Sequence, residues 1–526
     1  MGADDQDGGQ RAEPGERTIP DGRAGGHGGD SIHAGRRSLV SEANRRVRCP
    51  LVTSRRASLG SEHPTVLVVV LSAAGIGVSL MQTLIVPVIP SLPVLLGVDA
   101  PDASWAITAT LLTAAVATPV FGRLGDIYGS RRMLIVCAVG LLAGSLICAL
   151  SSTLVPFVLG RGLQGLGMPI IPLGIAVLRA VMPPDRVGSA MGAMSSSLGV
   201  GGALGLPLSA IIAQHYDWHA LFWLSSGLGA LALALFVLLI PAVPAVSTGR
   251  FDPLGTVLLA AGLVTLLLPI SKGSTWGWTD RVTVSMFAAS LGIFAVFALW
   301  QLRIESPIVD LRTTVRRPVL LTNLSSICMG FALFALSLIA PQILELSAET
   351  GYGLGQSLTG TGLWMAPGGL AMMVCASASA AVAARRGPKF CLVLGCAIIT
   401  VGYLCGPLML GSAALVCLLN VIVSIGVGFG FASLPALINA AVPITETAAA
   451  NGINALSRSM GTSISSAVIS AILAAMVVAP PVGSGVHTAP SLAGFHLGLW
   501  VAAAVGAVAT ALAALIPDPV AALADD

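Results

Sequence analysis

The segment GRLGDIYGSRR, residues 122–132, separates two long apolar stretches, one ending at Phe121 and the other beginning at Met133. The second stretch, MLIVCAVGLLAGSLICAL, runs for 18 residues without a charged side chain. A hydrocarbon core about 30 Å thick needs about 20 apolar residues in a helix that rises about 1.5 Å per residue. The two stretches therefore predict membrane-spanning helices joined by a short, basic, glycine-rich turn.

The same alternation of apolar stretch and polar break continues along the chain. Hydrophobic residues make up 55% of the 526 residues and charged residues only 10%, whereas soluble domains carry about 25% charged residues. Fourteen apolar stretches are expected as helices near residues 65–93, 103–122, 132–151, 155–180, 189–213, 219–242, 253–270, 283–302, 318–344, 359–383, 390–411, 414–440, 452–478 and 494–516. We therefore expect an all-α membrane protein that crosses the bilayer about 14 times.

Basic residues are concentrated in one set of alternate loops. This set contains Arg123, Arg131, Arg132, Arg179, Arg186, Arg250, Arg303, Arg312, Arg316, Arg317, Arg385, Arg386 and Lys389. The other set contains only Lys272 and Arg281. Because short loops rich in Lys and Arg stay in the cytoplasm, we predict a multi-pass protein of the cell (inner) membrane with both termini cytoplasmic.

A weak internal repeat relates the first and last parts of the chain. Gly129 pairs with Gly387 at an offset of 387 − 129 = 258. At an offset of 260, Pro183, Gly192 and Gly201 pair with Pro443, Gly452 and Gly461. Repeats of this kind are typical of secondary transporters. They predict six-helix bundles at residues 64–243 and 318–516, with two extra spans and a cytoplasmic linker at 244–317. The polar, Gly- and Arg-rich start of the chain lacks apolar periodicity, so we expect a disordered tail at 1–63, and a short tail follows at 517–526.

The turn between the second and third predicted spans has the composition of a gate. Its glycines permit close approach of helix ends, its carboxylate suits a helix N-terminus, and its arginines keep it cytoplasmic. The candidate gating residues are Gly122, Gly125, Asp126, Gly129, Arg131 and Arg132. Their spacing resembles the signature loop of the major facilitator superfamily, which implies the major facilitator fold. The alternative is an ordinary positive-inside loop with turn glycines.

The fourth predicted span carries a charge within apolar sequence. In LGRGLQGLGMPIIPLG, Arg161 and Gln164 lie deep in the segment, where a charged side chain costs about 2.5–3.5 kcal/mol on insertion scales. We expect Arg161 to face a cavity and to have a partner. The string resembles the fourth-span motif of the superfamily, in which the arginine is implicated in proton transfer. The alternative is that Arg161 reaches toward the outer interface.

The fifth predicted span is rich in small residues. Gly199, Gly201, Gly205 and Pro207 permit close helix contact and bending. This span is similar to the motif of the antiporter branch, although its proline comes one residue late and Ser209 and Ala210 replace paired glycines. The alternative is a helix that is simply well packed.

The first predicted span departs from the family pattern. QTLIVPVIP at residues 82–90 is similar to the start of the 14-span drug:proton antiporters, but Met81 stands where that family has an acid. No Asp or Glu falls in the middle of any predicted span. We therefore hypothesise a preference for neutral or anionic amphipathic substrates. Gln82, Thr83 and Asn420 are candidates to line the central cavity, and each could instead bond across helices.

Further strings resemble the same 14-span family over residues 64–516, namely RFDPLG at 250–255, WGW at 276–278, ESPIVDLR at 305–312 and GVGFGFASLPALI at 426–438. The resemblance implies an exporter of drug-like or amphipathic small molecules that works by alternating access, driven by proton influx. The alternative is a facilitator or exporter of an endogenous lipid or metabolite without proton coupling. We expect a monomer that is not an enzyme, with a small-molecule substrate, protons and the bilayer as partners. No cofactor, metal or nucleic acid is expected.

Overall fold

The computed structural model describes residues 64–85, 88, 92–243, 245, 249–478 and 489–517. The tail predicted at 1–63 and most of the tail predicted at 517–526 lie outside these ranges. The described chain is almost wholly α-helical, which confirms the predicted all-α class. The helices are α1 Pro64–Thr83, α2 Leu92–Leu96, α3 Ala100–Ala103, α4 Trp105–Tyr128, α5 Ser130–Leu150, α6 Leu154–Gly165, α7 Ile170–Val181, α8 Pro184–His215 and α9 His219–Leu239.

The remaining helices are α10 Pro253–Trp276, α11 Arg281–Gln301, α12 Leu311–Thr314, α13 Arg317–Glu345, α14 Leu358–Cys405, α15 Ala413–Ala441, α16 Thr447–Ala475 and α17 Leu492–Ala514. Short 3₁₀ turns occupy Ala348–Thr350, Gly406–Met409 and Ile444–Glu446. Strand β1, Val477–Val478, pairs antiparallel with strand β2, Ala489–Pro490.

Twelve helical stretches in the described part of the chain are long and apolar enough to cross a membrane. The predicted tenth and eleventh spans fall together in one of them, Leu358–Met409. The predicted thirteenth span is α16, which carries Asn451, Asn454 and Arg458 and lies outside the twelve. The count of 14 spans therefore stays a prediction.

Two predicted spans have different bounds in the structure. The first, expected at 65–93, ends as a regular helix at Thr83, shortly before Pro87 and Pro90 in the sequence. The fourth, expected at 155–180, is divided into α6 and α7 by a tight turn at residues 166–169. Gly165, Gly167 and Pro169 favour that break because glycine and proline both weaken a helix interior.

The sequence repeat is matched by backbone geometry. Gly129, between α4 and α5, has φ = 96°, and Gly387, inside α14, has φ = 82° and is the one residue there with non-helical angles. Both angles lie in the region that only glycine enters without strain. Each glycine therefore joins two successive helices by the same kind of sharp turn.

A second pair of repeat positions makes equivalent helix contacts. A Cβ on Gly201 of α8 would meet the backbone of α1 at Ile76, and a Cβ on Gly461 of α16 would meet the backbone of α13 at Ile327. We call residues 64–243 the N-half and residues 318–516 the C-half. In each half, a glycine at the repeat position brings one helix into backbone contact with the first long helix of that half.

The buried apolar side chains form separate cores in the two halves. One cluster runs from Leu67 to Ile240, with Ala448 as its member from the C-half. Another runs from Met329 to Ile516 and lies wholly within the C-half. Close van der Waals packing of these side chains therefore stabilises each half largely on its own.

Helices α10 and α11, between the halves, form a hairpin whose two free ends are joined by hydrogen bonds to Asp252. Asp252 caps α10 by accepting from Gly255 N at 2.8 Å. Its carboxylate also accepts from Trp300 Nε1 at 3.1 Å and Gln301 Nε2 at 2.8 Å, at the end of α11. The hairpin shares an apolar cluster with α4 and with Leu456 of α16. It therefore packs where the two halves meet.

Candidate functional site

The carboxylate of Asp126 joins the two halves of the molecule. Asp126 lies near the end of α4 and is 1% exposed. Ala448 N donates to its Oδ1 at 3.1 Å, and Ala449 N donates to its Oδ2 at 2.9 Å. These amides belong to the first turn of α16, where N–H groups lack partners within the helix and the helix dipole favours a negative charge. The N-half thus caps a helix of the C-half.

Two glycines allow this cap to form. A Cβ on Gly122 of α4 would lie 2.7 Å from the carbonyl oxygen of Ala448, and a Cβ on Gly452 of α16 would lie 2.9 Å from the carbonyl oxygen of Thr118. Side-chain carbons do not approach carbonyl oxygens so closely in folded proteins. The backbones of α4 and α16 therefore meet at a distance that only glycine permits, and we call this contact the α4–α16 seam.

Arg179 makes a second polar contact between the halves. It lies at the end of α7 and donates to Thr447 Oγ1 at 2.5 Å and to the carbonyl oxygen of Asn439 at 2.7 Å. Asn439 lies near the C-terminus of α15, where helix carbonyls attract cations. The connection between α15 and α16 is thus held by a guanidinium on one side and a carboxylate on the other. From the sequence, Arg179 was assigned only to the basic loops, although its place in the last turn of a helix was a usable signal.

A cavity of about 410 Å³ lies beside the Asp126 contact. Its polar lining includes Arg123, Glu305, Asp310, Asn323 and Glu446. Arg123 Nε and Asn323 Nδ2 are buried and have no hydrogen-bond partner among the described residues. Those two donors are available to water or to a ligand.

Glu446 is a titratable group that lines this cavity and directly precedes α16 in the chain. Burial raises the pKa of its carboxyl above the ordinary value of 4.5, and the Asp310 carboxylate raises it further. A hydrogen bond from Thr313 and the charges of Arg123 and Arg316 act in the opposite direction. Glu446 occupies the N-cap position of α16 but makes no capping bond there. Asp126 of the other half makes that bond instead.

The other predicted gating residues serve the N-half itself. Gly125 packs against Leu173 of α7, and Gly129 forms the turn into α5. Arg131 donates to the carbonyl oxygen of Val237 at 2.7 Å, near the end of α9. Arg132 is exposed. The structure therefore brings Gly122 and Asp126 to the seam, while Arg131 makes its contact within the N-half.

Arg161 is a buried cation held by neutral groups. It lies on α6 and is 2% exposed. Its Nε donates to the carbonyl oxygen of Ala106 at 3.1 Å, and its Nη1 donates to Gln164 Oε1 at 2.5 Å. Gln164 Nε2 in turn donates to Ser145 Oγ at 2.8 Å. Arg161 and Gln164 therefore lie together within a polar chain that crosses from α6 to α5.

A small cavity of about 10 Å³ lies beside this guanidinium. Its lining residues are Val78, Met81, Gln82, Thr110, Leu141, Arg161 and Gln164. Of the other predicted cavity residues, Thr83 bonds to the carbonyl oxygen of Leu80 at 3.0 Å. Asn420 donates to the carbonyl oxygen of Met365 at 2.8 Å, across to α14. Gln82 is thus placed with Arg161, whereas Thr83 and Asn420 bond to helix backbones elsewhere.

The predicted small-residue helix is α8, and its glycines face two different neighbours. Gly201 and Gly205 lie against α1, Gly205 touching the side chain of Thr83. Gly199 lies against Met372 of α14, and Pro207 lies against Gly362 of the same helix. The residues therefore allow close packing both within the N-half and between the halves. We call the second contact the α8–α14 seam.

These observations define a multi-helix membrane protein with two repeat-related halves that meet at a polar contact. The sequence profile described as Major Facilitator Superfamily matches residues 71–466. The chain belongs to that superfamily. Its fold and its relatives are those of transporters rather than enzymes.

Several curated relatives are transporters, exporters or resistance proteins by name. The chain is 30% identical to the probable actinorhodin transporter of Streptomyces coelicolor over 59% of this chain and 54% of that protein. It is 30% identical to the tetracenomycin C resistance and export protein of Streptomyces glaucescens over 64% of this chain and 61% of that protein. It is 27% identical to a multidrug resistance protein B homolog of Mycobacterium tuberculosis over 57% and 55% of the respective lengths. The chain thus spans between half and two thirds of these relatives' lengths.

Solved structures share the fold at low identity. The human organic anion transporter MFSD10 superposes with a TM-score of 0.59 at 15% identity, over 86% of this chain and 99% of that chain. The proton:xylose symporter XylE superposes with a TM-score of 0.61 at 14% identity, over 87% and 97%. At such identity the likeness establishes the major facilitator fold and no activity.

Proposed function

We propose that this protein is a secondary active transporter that exports drug-like or amphipathic small molecules by alternating access, coupled to proton influx. The observation that carries the proposal is the contact of Asp126 with Ala448 N and Ala449 N. A carboxylate of one half that caps a helix of the other is a contact that rocking of the halves would break and remake. The name of the tetracenomycin C resistance and export protein supports export as the direction of transport.

The proposed architecture has 14 spans in the cell (inner) membrane, as in the 14-span drug:proton antiporters. The N-half and C-half are the two six-helix bundles, and residues 244–317 hold the extra hairpin and a cytoplasmic linker. The sharp turn at Gly387 supports two spans within α14, and the 29 residues of α16 are enough for one more. Both termini lie in the cytoplasm, and the protein works as a monomer.

Transport into proteoliposomes tests the proposal. The purified protein is reconstituted, and an outward proton gradient is imposed so that inverted molecules accumulate substrate. The probes are 1-anilinonaphthalene-8-sulfonate and its uncharged relative N-phenyl-1-naphthylamine. We expect gradient-driven accumulation of at least one probe, abolished by an uncoupler. An absence of gradient-driven accumulation of both would contradict the proposal.

One observation favours transport without proton coupling. Met81 occupies the position at which the resembling antiporters have an acid, and no Asp or Glu lies in the middle of a predicted span. A facilitator or exporter of an endogenous lipid or metabolite needs no such acid. The same experiment separates the two functions, because flux through a facilitator persists after the gradient is collapsed.

A further inference from the structure

The guanidinium of Arg161 lacks a counter-charge. Its side-chain hydrogen bonds go to a backbone carbonyl and to an amide oxygen, both of which are neutral. They use two of its five N–H groups. Among the described residues, no carboxylate lies within ion-pair distance of it. A buried charge without an opposite charge is strongly disfavoured, so this site favours any group that brings a negative charge.

The cavity beside Arg161 offers a second donor. Gln82 Nε2 donates to Met168 Sδ at 2.9 Å, and a thioether sulfur is only a weak acceptor. Gln82 and Arg161 line the same cavity. A stronger acceptor in that cavity would therefore compete well for the Gln82 amide. Two donors from different helices converge on one small space.

Three apolar side chains form part of the cavity wall, and Met81 is one of them. Val78, Met81 and Leu141 are the apolar residues of the lining, and Thr110 and Gln164 are its other polar residues. Met81 is 4% exposed. The volume of about 10 Å³ is close to that of one water-sized probe. It therefore suits a single anionic oxygen or a small ion, and an apolar wall suits the body of an amphipathic molecule.

We propose that Arg161 and Gln82 form a binding site for an anionic group, and that Met81 determines this specificity by leaving the guanidinium unpaired. The group is the head of an amphipathic anion or a free inorganic anion. The inference rests on the proposed function for its meaning in transport, where it would make anionic amphipaths the preferred class of substrate. Binding at equilibrium is independent of transport.

Thermal unfolding of the purified protein in detergent tests the site. The amphipathic probes are decanesulfonate, decyltrimethylammonium and decanol, and the inorganic probe is chloride compared with gluconate at constant ionic strength. A ligand that binds the native state raises the midpoint of unfolding. We expect decanesulfonate to do so and the cationic and neutral decyl compounds to have a smaller effect. A comparable rise with chloride would show that a free anion occupies the site.

Three variants assign the effect to these residues. Arg161→Gln is expected to weaken the apparent affinity for decanesulfonate about tenfold or more, because a charge-assisted hydrogen bond is lost. Met81→Glu, which supplies an internal carboxylate, is expected to abolish the effect, while Met81→Gln keeps it. If Met81→Glu does not fold, Arg161→Gln still decides the question.

The inference is overturned if no anion stabilises the wild type, if decyltrimethylammonium stabilises it as much as decanesulfonate does, or if Arg161→Gln leaves the effect unchanged. Its failure is distinct from failure of the proposed function. Wild-type protein that transports in proteoliposomes but shows no anion effect would refute only the site. Protein that binds the anion but shows no gradient-driven transport would refute only the function.

Discussion

The α4–α16 seam and the α8–α14 seam join the same two halves but use different chemistry. The repeat relates them, since the offset that pairs Gly129 with Gly387 places α4 opposite the first part of α14, and Gly192 of α8 pairs with Gly452 of α16. The first seam contains the Asp126 cap. In the second seam, the position equivalent to Asp126 is 126 + 258 = 384, which is Ala384. Both seams are closely packed, and only the first adds a charged cap.

The helix starts explain why the second seam has no cap. α16 begins at Thr447, so the amides of Ala448 and Ala449 are in its first turn and need an outside acceptor. α8 begins at Pro184, and the positions equivalent to Ala448 and Ala449 are Gly188 and Ser189, a full turn further into the helix. Their amides are satisfied within α8. The two repeated glycine turns have the same backbone geometry. Whether a cap forms beside each turn depends on whether the partner helix presents free amides of its first turn there.

The largest effect is expected for Asp126→Asn. The asparagine keeps one acceptor but loses the charge that suits a helix N-terminus, at a cost of about 1–2 kcal/mol. This corresponds to about a 5–30-fold shift away from the closed seam. The measurement is the rate of thiol labelling at Thr118→Cys, a buried seam position, on a background without the nine native cysteines. Labelling should accelerate by that factor, and gradient-driven transport should slow. An unchanged labelling rate would refute the latch.

A smaller effect is expected for glycine-to-alanine changes at repeat-related positions. In Gly452→Ala, the new Cβ would lie 2.9 Å from the carbonyl oxygen of Thr118, whereas in Gly192→Ala it would lie 3.5 Å from that of Ala376. Alanine favours a helix by about 1 kcal/mol over glycine at either position. Overpacking costs about 1–3 kcal/mol, and only Gly452→Ala incurs it.

Thermal unfolding in detergent measures the difference. Gly192→Ala should raise the midpoint by a few degrees, and Gly452→Ala should leave it unchanged or lower it. Gly192→Ala is the matched control, because it makes the same substitution at the repeat-related position, in α8 instead of α16. Equal shifts for the two variants would show that the seams are equally tight.

A modest pH dependence is expected from Glu446. Burial and Asp310 raise the pKa of its carboxyl when the seam is closed, so protonation favours the closed seam. Closure should therefore strengthen as the pH falls from neutral toward the ordinary value of 4.5, below which both states are protonated. Labelling at Thr118→Cys should slow over that window. Glu446→Gln should flatten the profile, and a profile that keeps its slope would assign the titration to another group.

The smallest effect is expected for Ala384→Asp, which places a carboxylate in the repeat copy of the gating turn. Ala384 is exposed, and α8 presents no free amide to it at the equivalent depth. The change in stability should stay within about 0.5 kcal/mol, as for other surface substitutions. A large gain in thermal stability would show that the second seam can also form a latch.

Much of the helical order could be predicted from hydropathy, because a membrane imposes a minimum apolar length on each span. The limits of this signal are visible in α16, whose Asn451, Asn454 and Arg458 make it more polar than the other long helices. The turn at residues 166–169 was also missed, since the segment as a whole stays apolar enough to count as one span despite Arg161 and Gln164. Proline and glycine marked the break, but hydropathy did not.

The site was predictable in part. The sequence placed Asp126 at a helix N-terminus, and the structure identifies that helix as α16. Gln82 and Arg161 were each expected to face a cavity, and they line the same one. Arg179 and Glu446 were not recognised, because their contacts are with residues more than a hundred positions away or on a separate linker. Such long-range partners leave no local pattern in a single sequence.

The most direct test of alternating access through the α4–α16 seam is a distance across it. Spin labels at Tyr128→Cys and Thr445→Cys, both exposed and on opposite halves, report the separation at the end of the molecule that holds Asp126. We predict that short label separations predominate in the wild type and in Ala384→Asp. In Asp126→Asn, we predict that a larger fraction of molecules has a long separation. Identical distance distributions in the wild type and Asp126→Asn would contradict the account.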